Sequence, residues 1–258
     1  MTVPARGLPH FHPEAMPSPA EIPAHWLAWL AANLVMATAC AMQAAVGIGM
    51  ALLAVPLLVL IEPQFVPGPM LLAGALVPLS GAWREWHAVD LRGLGPALLA
   101  LAAGTLAGAL ALGMLNPAYL DKFFGALVLL AVAISLSGIR LRPTPAALAA
   151  GSGIAGLMGT MAGIHGPPVA LVFQNAQPEV ARAMMGTIFV PAYLISVAAL
   201  AAFGLFGLPE LILAAVLLPG TLAGILAAPL LIRRLNARRI RLAILAISAA
   251  SAMVLLLK

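Results

Sequence analysis

Charged residues are scarce in this sequence. Lys, Arg, Asp and Glu together make up 8% of its 258 residues, against about 25% in soluble domains. Apolar residues account for 63%, so the chain has too few polar side chains to cover a water-facing surface. The shortage of charge excludes a soluble globular protein and predicts a single membrane domain.

Cysteine is nearly absent as well. Cys40 is the only one, which excludes an intrachain disulfide, a CxxC redox pair and a multi-cysteine metal site. The apolar runs also lack Lys, Arg, Asp and Glu at mid-membrane depth, so they offer no carboxylate dyad for catalysis within the membrane. We expect no enzyme activity, no metal and no cofactor, and an intramembrane enzyme is the weaker alternative.

Basic residues exceed acidic ones by 13 to 8. In a soluble protein this excess would suggest nucleic acid as a partner. Here the basic residues stand in short loops between apolar runs, as in membrane proteins whose cytoplasmic loops are positive. We therefore expect contact with membrane lipid and none with nucleic acid.

The first 25 residues are rich in proline and histidine and lack the apolar region of a signal peptide. They are predicted to form a flexible tail ahead of a transmembrane domain over 26–258.

Charged, proline and glycine breaks divide that domain into ten apolar runs, whereas one helical span needs about 20 residues. The runs fall at roughly 26–45, 50–61, 68–83, 94–115, 121–139, 146–162, 167–176, 183–204, 209–231 and 240–257. The runs 50–61 and 167–176 are too short to cross, and each follows a glycine-bearing tip. Both are predicted to be broken or re-entrant hairpins.

The two halves of the chain resemble each other. Thr105-Leu106-Ala107-Gly108 recurs as Thr221-Leu222-Ala223-Gly224, and Gly47-Ile48 recurs as Gly163-Ile164, both at an offset of 116 residues. The pattern predicts an all-α polytopic protein of two repeats with about five segments each, the first over about 26–139 and the second over about 146–257.

The placement of charge predicts how these repeats are oriented. If each hairpin returns to the side that it left, ten of the thirteen basic residues fall on one side, which is then cytoplasmic. Both termini then face outward, and the repeats run in opposite senses. Inverted repeats with broken helices are typical of secondary transporters, whose substrate site lies near the midplane.

The two tips supply the predicted site. Glycines allow a close backbone approach, and a helix that restarts after a break directs unpaired N–H groups and a positive dipole end at a ligand. Two such ends can hold a small anion without a cationic side chain. The predicted substrate-binding residues are Gln43, Gly47, Ile48, Gly49, Gly163, Ile164, His165, Gly166, Gln174 and Tyr193.

Two further roles are assigned to side chains. His165 can donate to the anion, or carry a proton that couples transport to the proton gradient, because an unperturbed imidazole titrates at about pH 6.5. The alternative is a neutral histidine bonded to a nearby carbonyl. Arg182 can steer anions toward a vestibule, or serve as a snorkelling anchor at the interface.

The tip sequences also resemble a known family. The stretch Gly156–Pro168, followed by Ala181-Arg182-Ala183, is similar to the sulfite exporter TauE/SafE family, which has a GxGG-type stretch and then a proline in each half. Here His165 and Met50 stand where a glycine is more usual. The resemblance implies an inner-membrane permease that exports sulfite, organosulfonates or other small anions such as carboxylates.

A passive anion channel could use the same tips, and a structural membrane subunit is the remaining alternative. The sequence leaves the substrate, the direction, the coupling ion and the formation of a homodimer open.

Overall fold

The computed structural model describes residues 22–46, 49–139, 141–234 and 237–257. Within these ranges the regular structure is entirely helical. The α-helices are α1 (Ile22–Val46), α2 (Met50–Ile61), α3 (Gly68–Gly74), α4 (Leu76–Arg84), α5 (Leu94–Gly113), α6 (Leu120–Leu136), α7 (Pro145–Ala162), α8 (Gly166–Phe173), α9 (Pro178–Ala202), α10 (Leu208–Arg234) and α11 (Ala237–Leu257).

Six of the described segments are long and apolar enough to cross a membrane. They lie in α1, α5, α6, α7, α9 and α10. Their outward faces carry large apolar side chains, such as Leu99, Leu226 and Met114 with 75%, 77% and 86% exposure. Hydroxyl side chains such as Ser196 and Thr221 lie in the interior. This arrangement suits lipid as the solvent and confirms the predicted polytopic all-α protein.

The predicted run 68–83 is two helices rather than one. It breaks at Ala75, whose N–H donates to the carbonyl of Leu72, three residues back, instead of four. Pro78 accounts for the break, because it has no N–H to offer the carbonyl of Gly74 and its ring crowds that carbonyl. A proline inside an apolar run thus divides a segment that hydropathy alone joins.

Glycines bring two pairs of long helices into close contact. A Cβ at Gly108 of α5 would lie 2.7 Å from the carbonyl oxygen of Leu157 of α7, and one at Gly224 of α10 would lie 3.0 Å from the backbone nitrogen of Ala41 of α1. These spacings forbid any side chain, as at small-residue crossings between membrane helices. The recurring Thr-Leu-Ala-Gly element therefore marks the α5–α7 and α1–α10 interfaces.

Asn33 of α1 bonds to the main chain of α10 on both sides of Pro219. Its Nδ2 donates to the carbonyl of Val216 at 2.9 Å, and its Oδ1 accepts from the N–H of Gly220 at 2.7 Å. These two groups lie four residues apart, in the turn that contains Pro219. One carboxamide satisfies both groups and joins α1 to α10.

Candidate functional site

Both predicted chain breaks occur in the structure. α1 ends at Val46 and α2 begins at Met50, while α7 ends at Ala162 and α8 begins at Gly166. Gly49 and Gly163 have φ values of +116° and +78°, which residues with a Cβ adopt only with strain. Gly47 and Ile48 lie outside the described residues, and Ile164 is fully buried.

His165 is buried at the second tip, with 1% exposure. Its Nε2 lies 3.2 Å from Ser196 Oγ, which lies 2.8 Å from Thr160 Oγ1. The Thr160 hydroxyl in turn lies 2.8 Å from the carbonyl oxygen of Gly156, to which it donates. Nδ1 has no hydrogen-bond partner within the described part of the chain. One ring nitrogen is thus tied into a chain of hydroxyls, and the imidazole also interacts with the main chain of Gly163.

Gln43 caps the helix that follows the first tip. Its Oε1 accepts from the N–H of Met50 at 3.2 Å, and the side chain is buried. Tyr193 of α9 joins this residue to the second tip, since its hydroxyl interacts with the Gln43 side chain and its ring centroid lies 4.8 Å from that of His165. Residues from both breaks therefore meet at one tyrosine.

The two tips differ by an exchange of a large and a small residue. At the offset of 116, Gln43 corresponds to Gly159 and Gly49 corresponds to His165. In the first half the large residue, Gln43, belongs to α1, and the small residue, Gly49, belongs to the tip. In the second half the His165 ring occupies the space beside Gly159, where a Cβ would overlap it. Each half thus directs one polar side chain into its break. In the first half the helix before the break carries this side chain, and in the second half the tip carries it.

The supply of backbone donors is also unequal. At α2 the N–H of Met50 is held by Gln43, and Ala51 and Leu52 each carry a backbone N–H in the same first turn. At α8 the first three residues are Gly166, Pro167 and Pro168, and proline has no N–H. Within that first turn, only Gly166 has an N–H to offer an anion.

A cleft reaches this centre from one face of the protein. It holds about 310 Å³ of unfilled space, its open mouth included. Its lining residues come from α1, α4 and α9 and are Gln43, Ala44, Val77, Pro78, Gly81, Arg84, Arg182, Gly186 and Phe189. Phe189 packs near His165 and Tyr193, so Gln43 and Phe189 stand between the cleft and the His165 pocket.

Depth along α9 locates this centre relative to the surface. Arg182 lies near the start of the helix and Tyr193 follows eleven residues later, which is about 16 Å at 1.5 Å per residue. Half of a bilayer hydrocarbon core is about 15 Å. The junction at Tyr193 therefore lies near the middle of the candidate membrane span Glu179–Ala202.

Two of the predicted site residues have other partners. Arg182 lines the cleft, but its Nε lies 2.9 and 3.1 Å from the two carboxylate oxygens of Glu85, so its charge is compensated. Gln174 is exposed at the far end of α8 and donates to the carbonyl of Ile139. The structure brings together Gln43, His165 and Tyr193, but not Gln174.

Sequence inspection missed Phe189 and Ser196. Together with Tyr193 they recur at spacings of four and three residues along α9, which places them on one face of the helix. That spacing was visible in the sequence, but an apolar helix offers several such stripes. Only the contacts of His165 with these three residues identify this stripe as the one that faces the site.

Six membrane-length helices in the described part of the chain, with polar side chains buried among them, define a multi-pass membrane protein. Residues 32–255 match the family described as Sulfite exporter TauE/SafE. The chain belongs to that family of membrane transporters, which confirms the resemblance of the tip sequences. Comparison with curated proteins and with solved structures found no significant match.

Proposed function

We propose that this protein is a secondary transporter that exports small anions, such as sulfite, organosulfonates or small carboxylates, across the bacterial inner membrane. The observation that carries the proposal is the junction at Tyr193, which contacts His165 of one break and Gln43 beside the other, near the middle of the candidate span Glu179–Ala202. Alternating access around this junction moves the anion from the cleft to the opposite side.

The proposed architecture is a pair of inverted repeats. At the offset of 116, α1 corresponds to α7, α2 to α8, α3 with α4 to α9, α5 to α10, and α6 to α11. The packing follows the same correspondence, because α5 packs on α7 as α10 packs on α1. Gly108 with Leu157 and Gly224 with Ala41 are likewise matched contacts at this offset. We place the Arg84–Arg182 face toward the cytoplasm and both termini outside.

The proposed anion site uses donors from both halves. The N–H groups at the start of α2, the Tyr193 hydroxyl and the imidazole of His165 can each bond an anion oxygen. Gly49 and Gly163 allow the backbone to approach closely, and a Cβ at Gly166 would meet no atom within 4 Å. This space adjoins the start of α8.

His165 is also the proposed site of proton coupling. The hydroxyls of Ser196 and Thr160 lie within hydrogen-bond distance of one another, and Ser196 bonds Nε2 of His165. Because the chain ends at the Gly156 carbonyl, to which Thr160 donates, it orients the imidazole, which would exchange its proton with the substrate site. The proton then enters or leaves the site together with the anion.

Counterflow in proteoliposomes tests the function. Vesicles loaded with unlabelled sulfite or sulfoacetate should accumulate the labelled anion transiently, because a carrier exchanges substrate across the membrane. Conductance without counterflow would instead indicate a passive channel. If neither sulfur oxyanions nor small carboxylates move, the proposal fails.

A further inference from the structure

The cleft that reaches Gln43 carries two arginines that differ in their electrostatic state. Arg182 is half-buried and held by both carboxylate oxygens of Glu85, with an Nη2–Oε1 distance of 2.7 Å. A cation in such a bidentate pair exerts little net field on a third charge. Arg182 and Glu85 together form a nearly neutral part of the wall.

Arg84 has no such partner. It is exposed in the last turn of α4, lines the same cleft, and has no ion pair or hydrogen bond to any described residue. The nearby carboxylates are engaged, since Glu85 bonds Arg182 and Glu179 lies 2.8 Å from Nε2 of His87. Arg84 is thus an uncompensated positive charge on this wall.

We propose that Arg84, rather than Arg182, captures the anion at the mouth of the cleft and makes the cleft selective for anions over neutral and cationic solutes. The inference rests on the proposed function, whose substrate is an anion. A single cation beside a low-dielectric wall raises the local concentration of anions and accelerates their entry. Because Arg84 is exposed, salt weakens the effect, with a Debye length of about 10 Å at 0.1 M.

A thiol on Gly81 reports this local concentration without any need for transport. Gly81 lines the cleft three residues before Arg84, and a Cβ there would meet no atom within 4 Å. We compare Gly81→Cys in the full chain for its rates of modification by an anionic sulfonate and a cationic ammonium methanethiosulfonate reagent. The ratio of the two rates cancels any effect of Arg84 on the ionisation of the thiol. The unsubstituted chain, whose one cysteine is buried, gives the background.

We expect the anionic reagent to react faster at low salt, and Arg84→Gln to lower the anionic-to-cationic ratio by roughly three- to tenfold. Arg84→Lys should keep the ratio, and 0.5 M salt should remove most of the difference. Arg92→Gln is the matched control, since it removes an exposed cation from the loop that follows α4 without touching the cleft. Glu85→Gln should raise the ratio by releasing the charge of Arg182.

Equal ratios for Arg84→Gln and Arg92→Gln would overturn the inference and leave Arg84 as an interface anchor. In proteoliposomes, Arg84→Gln should raise the half-saturating anion concentration severalfold and leave the maximal rate unchanged. A chain that keeps the charge-selective labelling but moves no anion would contradict the proposed function and leave the inference on Arg84 intact.

Discussion

The imidazole of His165 occupies the space that a side chain at Gly159 would fill. The glycine belongs to α7 and the histidine to the break that follows it. The position of the ring therefore depends on the absence of a methyl group six residues earlier.

Gly159→Ala should displace the imidazole and break its 3.2 Å contact with Ser196. Overpacking a filled site costs about 1–3 kcal/mol, so we expect a lower unfolding temperature in detergent together with loss of transport. Gly153→Ala is the control on the same helix, because its Cβ would lie 3.4 Å from the nearest atom, the carbonyl oxygen of Ala100. Similar behaviour of the two variants would contradict this account of the pocket.

A double substitution tests the exchange between the two tips. Gly159→Gln alone should be more destabilising than Gly159→Ala, because the longer side chain meets the His165 ring. Adding His165→Gly reproduces the arrangement of Gln43 and Gly49 in the first half and should restore folding. Thermal unfolding of the single and double variants measures the recovery. A double variant no more stable than the single one would mean that the halves are not interchangeable in this way.

His165→Ala should leave folding intact and alter transport. The substitution opens a cavity and removes the 3.2 Å contact with Ser196, so we expect a lower unfolding temperature but a folded protein. If the imidazole carries the coupled proton, wild-type transport depends on pH, while the variant shows a flat profile. Identical profiles for both proteins would leave His165 a structural residue.

Ser196→Ala interrupts the hydroxyl chain at its middle. The variant loses bonds to both His165 and Thr160, and side-chain bonds between membrane helices contribute about 0.6 kcal/mol on average. We expect a small loss of stability and a weaker dependence of transport on pH. Ser248→Ala is a control with matched burial, because Ser248 bonds only its own helix at Ile244. An equal effect of both substitutions on the pH profile would exclude a role of Ser196 in orienting the imidazole for proton exchange.

Asn33→Ala should loosen the contact between α1 and α10. It leaves the carbonyl of Val216 and the N–H of Gly220 without their side-chain partner, at a cost of about 1–3 kcal/mol for each unsatisfied group. In a Pro219→Ala background, residue 219 regains a backbone N–H and the turn can become regular. The same substitution should then cost less. A double-mutant cycle on unfolding free energies measures the coupling, and zero coupling would separate Asn33 from the proline.

Element positions followed closely from the sequence. The two short runs became α2 and α8, and the glycines at 49 and 163 adopt the positive φ values that their breaks require. Hydropathy and the positions of glycines are local signals, so the helix boundaries that they predict do not depend on how the helices pack. The split of the run 68–83 was also encoded locally, in Pro78, but hydropathy does not register a lost N–H.

The contents of the site were less predictable. Which polar side chains meet depends on helix packing, and the amides of Gln43 and Gln174 look alike in sequence although only Gln43 reaches a break. The pairing of Arg182 with Glu85 joins residues that are 97 positions apart. No local pattern reports such a pair. The two prolines after Gly166, in contrast, indicate from sequence alone that α8 begins with few N–H donors.

The unequal tips bear on the energetics of the transport cycle. A carrier built from two identical inverted halves would have inward-facing and outward-facing conformers of equal free energy, related by symmetry. Here one half contributes a carboxamide and backbone amides, and the other contributes an imidazole and two prolines. For the proposed carrier, this difference would make the free energies of the two conformers unequal and give the empty protein a preferred resting orientation. The preference would set the resting conformer between cycles, while the gradients of the transported ions would alone decide the direction of net flux.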